Sequence, residues 1–393
     1  MNANRENRVL IFFVIITTAI CLRAPITSVG SILYCIVEDL NLSNTIAGAI
    51  TTVPLIVIAV LSPCISKISE KTGIIQALLL GMVTMLLGIM LRSFGGIFGL
   101  LLGTALIGAG IAFGNVLIPA IIKSFFPDRI GTMTGVFTTT MSICSGVAAG
   151  ISVPLAAELG WRWTFCIWAV TALLAIIISI IQIKRIPNVS DSCAKTEVKS
   201  QTQKPLYKIP LAWWIAVMFG GQSCVFYIMV TWLPTIVTDR GISAMSAGVI
   251  ATILQLAAIP ANFATPMLAG YFKNQSRLAV SVAGLGIIGL LGILFAKSML
   301  LFAISTGILA LGLGGTFSLS LVIFGMRTSD GIQAARLSGF AQSAGYVMAA
   351  IGPTLAGAIY DFSGNWVLPI TVAIVIMIFD LVAANIAGAD RQI

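Results

Sequence analysis

RIPNVSDSCAKTEVKSQTQKPLYKIP, residues 185–210, is the only long polar stretch in this chain, and its position decides the fold. It is rich in Pro, Ser, Thr, Gln and Lys and has no apolar periodicity, the composition of a solvated linker. On either side the sequence is apolar almost throughout. Of 393 residues, 58% are hydrophobic and 9% charged, against roughly 25% charged in soluble domains. Runs long enough to cross a bilayer core, about 20 residues each, recur on both flanks. They are continuous rather than alternating, and with no water in hydrocarbon their backbones are satisfied as helices. Six spans are predicted before the linker, near residues 9–34, 44–66, 74–92, 97–123, 131–156 and 163–184. Six more follow near 211–237, 245–270, 278–296, 299–325, 334–359 and 366–387. The expected fold is all-α and integral to the membrane, with twelve transmembrane helices. An N-terminal six-helix bundle covers residues 1–185, a cytoplasmic linker 186–209 and a C-terminal six-helix bundle 210–393.

The first span follows NRENR but is too long for a cleavable signal segment and carries Arg23, so it is expected to stay as helix 1. The net charge of +9 is explained by placement. With the N-terminus cytoplasmic, seventeen of the 22 lysines and arginines fall inside. Arg92, Arg162, Arg240 and Lys297 fall outside, and Arg23 lies within a span. That is the positive-inside pattern with both termini cytoplasmic, and it removes the need for a nucleic-acid partner. The seven cysteines lie mostly in apolar runs without metal-ligand spacing, so no metal, disulfide or cofactor is expected.

The two flanks resemble each other. IGAGIAFG in span 4 and LALGLGGTFS in span 10 align Gly108 and Gly110 with Gly312 and Gly314; TMTGVF and RLSGFA align Gly135 with Gly339. All three pairs share an offset of 204 residues, and LGWRW and SGNW open spans 6 and 12 about one residue out of that register. A duplication giving two pseudo-symmetric bundles follows, a layout of secondary transporters with the substrate site between repeats near mid-membrane.

This plan resembles the major facilitator superfamily. SKISEKTG, residues 66–73, is similar to its G-x-L-a-D-R-x-G motif, with Glu70 acidic, Lys71 basic and Gly73 the final glycine. Ser66 replaces the first glycine, and Ile74 and Ile75 the trailing basic residues. GWRW, residues 160–163, is another stretch common there. LRAPITSVGSIL (22–33), GIAFGNVLIPAIIKSFFP (110–127), TWLPTIV (231–237) and LSGFAQSAGYVMAAIGPTLAG (337–357) resemble the cyanate and 2-nitroimidazole permease family. The resemblance covers nearly the whole chain. It implies the major facilitator fold and a monomeric, multi-pass transporter of the cytoplasmic (inner) membrane, not an enzyme. Its partners are then the lipid bilayer and a small-molecule substrate moved by alternating access. Glu70, Lys71 and Gly73 become gating residues, a cytoplasmic latch; the alternative is a solvated charge pair of little energetic consequence.

Arg23 and Asp380 are the charged residues read as lying deep in spans, where ionised groups are expensive and mark function. In a superfamily transporter helix 1 lines the central cavity, so Arg23 is the expected anion-recognition residue, its planar fork suited to paired oxygens. The structural alternative is an arginine bonded to helix carbonyls that fixes a bend before Pro25. Asp380 is expected near the cytoplasmic interface or against a neighbouring helix, not paired with Arg23. Asn115, Gln222, Tyr227, Gln255, Gln342 and Tyr346 are further substrate-binding candidates, with Asn262 beside them; for each, an interhelical hydrogen bond is the competing role. The 204-residue offset carries Arg23 onto Tyr227. Trp161, Trp213, Trp214 and Trp366 read as interfacial anchors.

A small polar or anionic planar solute, cyanate-like or nitroimidazole-like, is the expected substrate; a multidrug-type efflux transporter is the alternative. Span 5 has GVAAGISVP in place of the antiporter Gly-Pro pair, which disfavours drug export. With no histidine in the chain, uniport, anion exchange and symport with a proton carried by the substrate or by Asp380 all stay open.

Overall fold

The structure, a computed structural model, describes residues 2–42, 44–185 and 205–393. Most of the predicted linker, 186–204, lies outside the described residues. Twelve helices are formed: α1 Asn2–Leu40, α2 Asn44–Thr72, α3 Ile74–Phe94, α4 Gly96–Phe125, α5 (130–159) and α6 (161–185). They are followed by α7 Pro210–Asp239, α8 in two segments, Ala244–Leu256 and Ala258–Tyr271, α9 Ser276–Phe295, α10 Met299–Met326, α11 Gly331–Ser363 and α12 Val367–Ala387. All but α11 are long and apolar enough to cross a membrane, α5 and α6 as one stretch. The protein is a multi-pass membrane protein. The polar α11 carries Arg336, Gln342 and Tyr346.

Glycine reverses the chain without a loop where the sequence leaves no room for one. Gly160 (φ 78°) turns α5 into α6, and Gly73 (φ 95°) turns α2 into α3, a backbone region that L side chains rarely adopt. The last glycine of the SKISEKTG motif is there for its backbone.

By packing, the described residues form two compact units. The first takes those within Met1–Asp128, Ile143–Lys204 and Ser329–Gly339; the second takes Arg129–Ser142, Pro205–Thr328 and Phe340–Ile393. The first turns of α5 therefore pack with the second unit and those of α11 with the first. In lipid there is little hydrophobic drive between helices, so contact depends on small residues that let backbones meet. In the first unit, a Cβ on Gly103 of α4 would overlap the Arg92 backbone of α3. In the second, one on Gly312 of α10 would overlap Gly286 of α9.

These contacts bear on the repeat. Gly135 of α5 lies against the Phe263 carbonyl of α8, and Gly339 of α11 against the Ser62 carbonyl of α2, equivalent contacts in the two repeats. In α4, Gly108 lies against Pro54 of α2 and Gly110 against Gly81 of α3; in α10, Gly312 lies against Gly286 of α9 and Gly314 against Ala258 of α8.

Three expectations about elements change. Span 8 breaks at Ala257, because Pro260 has no N–H to continue the helical ladder. In α1 the non-helical residue is Ile32, while Pro25 stays within the helix. Trp161 and Trp366 are buried at 6% and 4% exposure rather than set in the interface. The Trp161 indole N–H donates to Asp39 at 3.1 Å, and that of Trp366 to Asp239 at 2.7 Å, so each opens its helix by clasping the end of the first helix of its repeat. Trp213, by contrast, is 47% exposed.

Candidate functional site

In the first unit, helix α1 is set by residues on α3, α4 and α6. Gly114 of α4 sits directly on Leu22, which brings Asn115 and Arg23 onto adjacent helices at one level. Arg23 is half-buried and its carbonyl accepts from Thr27 Oγ1 at 3.0 Å. Asn115 is buried, and its carbonyl accepts from Ser338 Oγ at 3.4 Å.

The arginine that holds helix 1 is a different one. Arg92, counted in sequence as an external loop charge, is 1% exposed at the end of α3. Its Nη1 donates to the Pro25 carbonyl at 2.7 Å and its guanidinium lies 4.1 Å from the centre of the Phe165 ring of α6. A buried cation is tolerated there because a carbonyl and a ring face replace part of its hydration. Arg92 thus binds from α3 to a carbonyl of α1, that of Pro25, two residues along α1 from Arg23. Nothing in sequence separates Arg92 from a loop arginine, because it stands where an apolar run ends.

In the second unit, α7 and α11 meet where Gly220 faces Gly345. Gln222 follows on α7, buried, with Nε2 donating to Ser223 Oγ at 2.9 Å. Gln342 and Tyr346 lie on α11 to either side of Gly345, both buried, and the Tyr346 ring packs edge-on against Phe219 with centroids 5.4 Å apart. Tyr227 is half-buried further along α7, its ring edge-on to Phe226 at 5.4 Å. Gln255 is half-buried on the first segment of α8, two residues before the break. The Gly220–Gly345 contact brings together the stretches of α7 and α11 that carry Gln222, Gln342 and Tyr346. Asn262 is a helix clip: Nδ2 donates to Ser142 Oγ at 2.7 Å and its carbonyl accepts from Thr138 Oγ1 at 2.7 Å.

Asp380 is fully buried, not at the interface. Oδ1 accepts from the Gln222 backbone N–H at 3.2 Å and the carboxyl rests on Gly221. Gln222 is twelve residues into α7, about 18 Å at 1.5 Å per residue, close to that helix's middle.

At the motif between α2 and α3, Glu70 Oε1 accepts from Arg336 Nε of α11 at 2.6 Å, within the first unit. Lys71 is exposed and has no ion pair among the described residues; the ion partner of Glu70 is Arg336, counted in sequence only as an inside charge.

Comparison with known proteins agrees with this architecture. The sequence pattern of the Major Facilitator Superfamily matches residues 11–353. The chain is 39% identical to the uncharacterized transporter YycB of Bacillus subtilis, over 96% of this chain and 93% of that protein. It is 32% identical to the 2-nitroimidazole transporter of Escherichia coli, over 99% and 98%. It is 24% identical to the cyanate transport protein CynX of the same organism, over 90% and 91%. Among solved structures, the proton:xylose symporter XylE superposes with a TM-score of 0.80 over 96% of this chain and 95% of that one; at 11% identity this likeness speaks for the fold alone. The chain belongs to the Major Facilitator Superfamily, in the permease family of the 2-nitroimidazole and cyanate transport proteins, and is a transporter rather than an enzyme.

Proposed function

We propose that the protein moves a small planar solute, a cyanate-like anion or a nitroimidazole-like heterocycle, across the cytoplasmic membrane by alternating access. It acts as a monomer with both termini cytoplasmic. The two six-helix bundles are 1–185 and 210–393, joined by the linker 186–209. Arg23 is the centre of recognition, and the observation that carries this reading is its half-buried place on α1, at the level of Asn115 on α4. Arg92 anchors the Pro25 carbonyl, while Arg23 sits half-buried beside the helix that carries Asn115. A guanidinium fork matches two oxygens of a carboxylate-like or nitro group. Gln222, Tyr227, Gln255, Gln342 and Tyr346 supply hydrogen bonds and ring faces from the second half of the sequence. The names of two relatives, for 2-nitroimidazole and for cyanate, support a small planar ligand. Glu70 paired with Arg336 is the gating contact, and Gly73 holds the turn that presents it.

The test is thermal stabilisation of purified protein by cyanate, nitrite, nitrate, small carboxylates and 2-nitroimidazole, in wild type and Arg23→Gln. A bound ligand raises the melting temperature with concentration; at a hundred times Kd it adds about 2.7 kcal/mol. The expected outcome is a response in wild type that is lost in a folded Arg23→Gln protein. A response that survives the substitution would remove Arg23 from the site and favour the drug-efflux alternative.

A further inference from the structure

Asp380 is the buried acid for which substrate recognition has no use. Its side chain is wholly enclosed between helices, Oδ1 takes the Gln222 N–H, and Oδ2 is buried with no hydrogen-bond partner among the described residues. The helices packed against α12 are α7 and α9. The ionisable side chains of α7 are Cys224, Tyr227 and Asp239, and the one on α9 is Arg277, which is exposed at its start. None of them is bonded to the carboxyl, and Asp239 is engaged by Trp366 and Tyr360. Among the described residues no cation is paired with this acid. A carboxylate with one weak donor and an unsatisfied oxygen is strongly disfavoured in a protein interior within a membrane, whereas a carboxylic acid is not.

The repeat indicates that the fold itself does not require an acid here. In the register that pairs Trp161 with Trp366, the position equivalent to Asp380 is Ala175, buried at 1% exposure. One bundle is built with a methyl group where the other carries a carboxyl. That carboxyl touches the backbone of Gln222, a residue of the proposed substrate site.

We propose that Asp380 is the proton-binding site of the transport cycle. Seated against Gln222, it holds its proton on Oδ2. When water reaches the carboxyl, the O–H bond breaks, the proton passes to water and the electron pair stays on Oδ2. Return to the dry seat against the Gln222 N–H requires a proton to be taken up again, so the contact with Gln222 is linked to protonation. Coupling of solute movement to this step rests on the transport reading above; proton binding at Asp380 does not.

The first measurement therefore needs no substrate. Infrared difference spectra of the full chain in lipid, recorded while pH is raised, are expected to show a protonated-carboxyl band that is lost in Asp380→Asn and displaced in Asp380→Glu. A band unchanged in Asp380→Asn, or no such band in wild type, overturns the proposal. If Asp380→Asn fails to fold, an unshifted band in Asp380→Glu overturns it equally. The second measurement is uptake of cyanate and of 2-nitroimidazole into proteoliposomes with and without a pH gradient. Gradient-driven accumulation at least tenfold above the Asp380→Asn level is expected, and uptake indifferent to the gradient overturns the coupling. Absence of any uptake of either probe counts against the substrate reading, while the infrared band still decides the proton site.

Discussion

Arg92 acts on α1 two residues from Arg23. Arg92 binds the Pro25 carbonyl and the Phe165 face from a fully buried position. Truncation leaves a cavity and removes a charge-assisted bond, so Arg92→Ala is expected to lower stability by about 3 kcal/mol. Arg162→Ala, which removes a half-exposed ion pair with Asp39, should cost less than about 1 kcal/mol, both read by thermal unfolding. Trp366→Phe keeps the ring stacked near Tyr360 but deletes the bond to the exposed Asp239, an expected loss of about 1 kcal/mol. The same change at the exposed Trp213 should stay within about 0.5 kcal/mol. In sequence both tryptophans stand at a helix start and read alike as anchors; what separates them is an aspartate more than a hundred residues away.

At the level of helices, the contact between α2 and α11 is the feature most open to test. Glu70 and Arg336 are each partly solvated, so their pair adds at most about 1 kcal/mol to stability. The same energy acting on one of two conformations changes their ratio about fivefold, which is enough to alter transport. Glu70→Arg and Arg336→Glu, each placing like charges together, are expected to change the transport rate severalfold without unfolding the protein, and the double exchange should restore it. Rates that stay impaired in the double variant would deny the pair a gating role. The motif's acid and final glycine could be read in sequence, since a carboxylate and a positive-φ turn are local properties. The acid's partner could not, because it lies on a helix far along the chain.

For the molecule as a whole, the expected topology makes a prediction independent of the substrate. Single reporter cysteines at positions 195 and 393, in a background with the native cysteines replaced, should label from the cytoplasmic side only; labelling from outside would invert the assignment. The membrane-spanning helices were legible in sequence because they follow from composition and length, which a bilayer of fixed thickness turns directly into helices, and the superfamily because its motifs are local stretches such as SKISEKTG. Which helix each repeat glycine faces was not, because that depends on the neighbours: Gly110 lies against Gly81 of α3 and Gly312 against Gly286 of α9. Nor was the depth of charge legible. Arg92 stands where an apolar run ends, and its burial depends on neighbouring helices closing over it. Hydropathy is a property of one segment, so sequence settled how many helices there are and where they run. Which side chains are enclosed, and which atoms they meet, depends on contacts between segments, and the tertiary structure alone decided that.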